Sequence, residues 1–83
     1  MARRRTQLDP AVEFLVQERL EANECVAGWH NLSAGQVRVM LIDRDLQREL
    51  KEHRLGRGGC GRTLEFHQQE SQWVFVAAGG WIS

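Results

Sequence analysis

Net charge is the first thing missing from this chain: 11 basic and 11 acidic residues cancel. Lysine is nearly missing too, with Lys51 the sole example among the bases. Proline occurs once and cysteine twice in 83 residues. No apolar run approaches the roughly 18–20 residues of a membrane-spanning helix, which excludes such a span. Two cysteines with no recognisable signal segment argue against a disulfide scaffold and for a reducing, cytoplasmic setting. Zero net charge with 42% hydrophobic residues argues against global disorder. What remains is one small globular domain with a modest core. No internal repeat is present.

The cancellation hides segregation. Residues 1–8 carry +3 from Arg3, Arg4 and Arg5, and residues 9–27 carry −4. Residues 56–62 carry +2, from Arg57 and Arg62. Arginine forks onto carboxylates and phosphates, so Arg57 and Arg62 in their glycine-rich loop are candidate anion ligands. The loop fits no phosphate-binding pattern, and it precedes a strand rather than a helix.

Residues 1–8 read as a mobile basic tail and 9–83 as one domain. Asp9 is a good N-cap and Pro10 suits the first helical position. The expected helix runs to about Ala27, with Gly28 as its stop. On a wheel of about 100° per residue, Val12, Leu15, Val16, Leu20, Val26 and Ala27 share one arc. The glutamates face outward, with Phe14 and Cys25 among them. Arg19 and Asn23 interrupt the apolar arc. With Trp29 as a wall, they mark a candidate ligand pocket between helix and sheet, because buried polar groups must find partners.

Trp29–Leu32 reads as a short strand, Ser33-Ala34-Gly35 as a turn, and Gln36–Ile42 as a strand with Val37, Val39 and Leu41 on one face. Asp43–Leu55 reads as a polar helix. Arg62–Gln68 and Gln72–Ala78 read as a hairpin turning at Gln69-Glu70, which sets Phe66 opposite Trp73. Its second face would carry Val74, Val76 and Ala78. Gly79-Gly80 would then release Trp81-Ile82 as an apolar tail.

Cys25-x4-His30 and His53-x6-Cys60-x6-His67 lack the close pairs of structural zinc sites, so no metal is expected. Cys60 has arginine neighbours that would lower a thiol pKa, yet no spacing supplies it with a base. No catalytic residue and no cofactor is expected.

The fold expected is α+β: an N-terminal amphipathic helix on a four-stranded antiparallel sheet, with a short polar helix between strands 2 and 3. Both sheet faces would be apolar, and two short helices cannot cover both. The function expected is therefore a non-enzymatic interaction module, a homodimer or a subunit of a larger complex. It would bind through Phe14, Val74, Val76, Trp81 and Ile82. The first alternative is a small-ligand binder or minimal enzyme using Arg19, Asn23 and Trp29. The second is a nucleic-acid accessory protein using the arginine tail and loop. Neutral charge weighs against it, because affinity for nucleic acid is largely counterion release. No membrane partner is expected.

Overall fold

A computed structural model describes residues 7–54 and 58–83. The elements are α1 (Pro10–Gln17), β1 (Glu24–Ser33), β2 (Gln36–Asp43), α2 (Arg44–Glu52), β3 (Cys60–Gln69) and β4 (Gln72–Ile82). All strand pairs are antiparallel and the sheet order is β1-β2-β3-β4. The fold is α+β, with the second helix between strands 2 and 3. Extents of 43 × 35 × 20 Å leave room for a sheet and little more than one further layer on it. No helix among the described residues is long and apolar enough to cross a membrane.

The first helix starts as expected and ends early. Asp9 accepts a hydrogen bond from the Ala11 N–H at 2.8 Å, and Pro10 opens the first turn. The helix stops at Gln17, ten residues before the expected Ala27. Residues 18–22 are good helix formers, so no local signal ends it at Gln17. Tertiary pairing does. Glu24–Val26 are taken by the sheet, opposite Asp43, Ile42 and Leu41. Arg62, from β3, donates to the Arg19 carbonyl at 3.0 Å, a long-range partner just beyond the helix C-terminus. Leu8, expected in the tail, packs against the core, and residues 1–6 of that tail lie outside the described residues.

The core lies between α1 and one sheet face. Val12 and Val16 of α1 meet Val37, Val39 and Leu41 of β2 and Leu64 and Phe66 of β3, all buried. Val26, Trp29, Trp73 and Phe75 complete it from the flanking strands. Phe66 and Phe75 meet edge to face with centroids 5.8 Å apart. The β1–β2 turn uses Gly35 at φ +133°, a conformation that L side chains rarely adopt.

The second hairpin corrects the expected register. Its turn residues are Glu70 and Ser71, both at positive φ, and Gln69 faces Gln72. Phe66 therefore faces Phe75, and Trp73 faces Gln68. A bulge follows: Phe66 pairs with Phe75 but Glu65 pairs with Ala77, leaving Val76 as the extra residue. Side chains alternate along a strand, so one extra residue exchanges the faces beyond it. Ala78 moves to the face of Leu64, while Ala77, Gly79 and Trp81 move to the second face. Nor is there a free tail. β4 continues to Ile82, and Ser83 exchanges backbone hydrogen bonds with Gly58 and Gly59.

α2 follows β2 with no loop. Asp43 ends the strand and caps the helix, accepting from the Asp45 and Leu46 N–H groups. The helix lies over one end of the second face, where Cys25 donates to Gln47 at 3.1 Å and Ile42 is buried.

Candidate functional site

The second face is built in rows that run across the four strands. Nearest α2 lie Cys25, Ile42, Gly61 and Trp81, with Cys25 opposite Ile42 and Gly61 opposite Trp81. The next row is Gly28, Met40, Thr63 and Gly79. The third is His30, Arg38, Glu65 and Ala77. α2 reaches only the first. The second and third are left as a trench of about 420 Å³, ended by Trp81.

The α2 end is closed by Trp81. Its indole crosses over β3 at Gly61 and donates to the Leu41 carbonyl of β2 at 2.7 Å. A Cβ on Gly61 would run into that carbonyl oxygen and come within 2.9 Å of the indole nitrogen. Paired residues of β2 and β3 end at Met40 and Thr63, so the indole serves a carbonyl just beyond the ladder.

The polar row is an ordered set of charges. Glu65 accepts from Arg38 Nη2 at 3.4 Å through one oxygen, and its other oxygen lies 2.9 Å from His67 Nε2. The hydrogen bond with His67, aided by Arg38, holds the Glu65 carboxyl below its usual range. Glu65 is thus satisfied on both oxygens. Arg38 has that single long contact, its side chain is 47% exposed, and it faces the trench.

The residues expected to form a ligand pocket are not brought together. Arg19 and Asn23 lie past the end of α1, so neither sits on a core-facing helical stripe. The Arg19 guanidinium stacks over Phe75, 4.5 Å from its centroid. Asn23 donates to both Asp43 oxygens at 3.1 Å and to Asp45 at 3.2 Å, tying the start of β1 to α2. Those contacts, with the Leu46 and Asp45 N–H groups, hold the Asp43 carboxyl below its usual range. Trp29 packs against the core.

The expected anion pair is also rearranged. Arg62 forks onto Glu24 with contacts of 2.9 and 2.7 Å, crossing over β2 on the core face. The hydrogen bond from Arg62 lowers the Glu24 pKa against the opposing effect of burial. That guanidinium is spent inside the fold. Arg57 and the tail arginines Arg3–Arg5 lie outside the described residues. Cys25 and Cys60 are both free thiols. No group of three or more His, Cys, Asp or Glu among the described residues could hold a metal ion.

The expected partner-binding residues divide. Phe14 is 64% exposed, Val76 40% and Ile82 83%. Val74 is half-buried on the second face opposite His67. Trp81 is half-buried and bonded within its own chain. The exposed three all lie along β4 or beside it. Phe14 shares a groove of about 380 Å³ with Leu15, Gln72 and Trp73 at one end of β4. The indole nitrogen of Trp73 is buried there without a hydrogen-bond partner. At the other end, Cys60, Gly80, Trp81 and Ile82 line a shallow apolar groove.

Compared with known protein families, with curated proteins and with solved structures, the chain finds no match.

Proposed function

We propose that the protein is a small interaction module that acts by binding and self-associates through the free edge of β4. The observation that carries this reading is the edge itself. β4 has 11 residues, Gln72–Ile82, with no charged residue and no proline among them, and no described strand pairs with its outer side. A long uncharged edge is a template for another strand, and proteins usually blunt such edges with charges, prolines, bulges or covering elements. Both edges carry bulges, one at Val76 in β4 and two in β1, but only β1 also carries a charge, Glu24, and has α2 across one end.

A second copy of β4 suits this edge better than an unrelated strand. Antiparallel pairing about a two-fold axis centred near Ala77 is self-complementary and sets no like charges opposite one another. It also brings the Ile82 end of one copy to the Gln72 end of the other. The exposed Ile82 then reaches the groove of Phe14 and Trp73. The two sheets would merge into one of eight strands.

Light scattering and sedimentation over a wide concentration range test this. The expected species has twice the 9.5 kDa chain mass. Val76→Lys puts a charge on the edge and should give a monomer with an unchanged melting temperature. A strict monomer at every concentration overturns the proposal. So does a dimer that Val76→Lys leaves intact.

A further inference from the structure

We infer that the trench on the sheet's second face binds a small, flat, apolar carboxylate, with Arg38 taking the carboxylate and Met40, Gly79 and Trp81 taking the body. This goes beyond self-association, although β4 supplies the trench with Ala77, Ala78, Gly79, Gly80 and Trp81, and the last two also line the groove at that end of the edge.

Size and composition point to a small molecule. A volume of about 420 Å³ falls within the common range of ligand sites, roughly 300–1,000 Å³. Successive rows of one face are about 7 Å apart along the strands. The trench, from the Arg38 row to the Trp81 row, therefore takes one or two rings and not a polymer. Its lining joins apolar and small residues to a few convergent polar groups, the usual pattern of a binding site.

The β4 side of the trench is lined by Ala77, Ala78, Gly79 and Gly80, whose small size keeps it open. At Gly79 the fold itself needs the room, since a Cβ would come within 3.0 Å of Thr63 Oγ1. Glycine inside a strand often marks a place where a ligand or another backbone comes close.

The charges select the ligand's sign. Glu65 is already held by His67 and Arg38, so it offers little to a cation. Arg38 lines the trench and is bonded to Glu65 through one nitrogen, which leaves most of its five donors without a partner among the described residues. A guanidinium fork matches a carboxylate in two parallel hydrogen bonds. His30, directly across from Arg38, adds a second donor on the same side. A bare inorganic anion would leave Met40 and Trp81 wet, so an apolar body is part of the fit.

The test is a two-dimensional NMR titration with 2-naphthoate and its neutral partner 2-naphthamide. Naphthoate is expected to shift the amides of residues 38, 63 and 79 and the Trp81 indole, and naphthamide to bind about tenfold more weakly. Arg38→Gln should bring naphthoate down to the level of the amide at unchanged melting temperature. Ala77→Leu enlarges a residue that lines the trench and should weaken both. Shifts confined to the Phe14–Trp73 groove, an absence of shifts, or full naphthoate affinity in either variant would overturn the inference. Running the titration on the Val76→Lys chain separates its outcome from that of self-association.

Discussion

Gly61 lies where the Trp81 side chain crosses β3, and the space above it is already filled. Any side chain at this position meets the Leu41 carbonyl, so the indole must leave or the strands must part. Gly61→Ala is accordingly expected to destabilise the protein by several kcal/mol, on the order of 2–4, through lost packing and an unsatisfied carbonyl. Urea unfolding would measure it. A loss below about 1 kcal/mol would show that the crossing is looser than the geometry implies. Trp81→Ala should likewise cost stability, because its indole serves its own chain. A residue-scale reading of the sequence had no access to this. Gly79-Gly80 looks like the end of a structured segment, and only the paired strands reveal that β4 continues past it.

At the scale of elements, the short first helix and the Arg62–Glu24 pair belong together. The pair holds β3 to β1 across β2, and the same guanidinium reaches the Arg19 carbonyl after the helix. The Glu24 side chain is 14% exposed, so the pair is more than a solvated surface contact. Because the folded-state pKa of Glu24 is lowered, its stabilising effect is present above its unfolded value, about 4.3. It is lost as pH falls through the lower folded value, where the unfolded chain binds more protons. Glu24→Gln should cost about 1–3 kcal/mol at neutral pH and reduce the acid slope of stability. Urea midpoints measured from neutral to acid pH would show both effects, and an unchanged acid slope would count against the pair. Asp43 and Glu65, lowered as well, should keep some slope in the variant. The element order was legible in the sequence, as were both helix starts, because Asp9 and Asp43 act through local backbone geometry. The end of α1 was not, since residues 18–22 suit a helix and the apolar spacing continues to Ala27, while Glu24 onward is taken by pairing with β2.

For the whole molecule, the decisive fact is that the two helices lie on opposite faces. α1 covers the core face, α2 covers one end of the other, and the trench and the β4 edge are what remain. If β4 pairs with a second copy, its amides should exchange with solvent more slowly as protein concentration rises, while those of β1 stay unchanged. Hydrogen exchange at two concentrations measures this directly, and equal behaviour of both edges would argue against the assembly. The candidate site was only partly legible. Phe14, Val76 and Ile82 stood out as apolar residues without cover, and they are exposed. Arg19, Asn23 and Trp29 did not form a pocket, because the helix that would have aligned them ends first. Arg38, the residue best placed to meet a ligand, gave no signal: one arginine in an alternating strand looks like an ordinary solvent-facing residue.

By itself the sequence determined the two helix starts, the alternation in β2, the order of the elements and hence the α+β class. These rest on interactions within a few residues, or on the period of a strand. Tertiary structure alone decided where α1 stops, which face Trp81 joins, and which charges are spent inside the fold. A single bulged residue exchanges the faces of everything beyond it, and a partner thirty-eight positions away in the chain leaves no trace in local pattern.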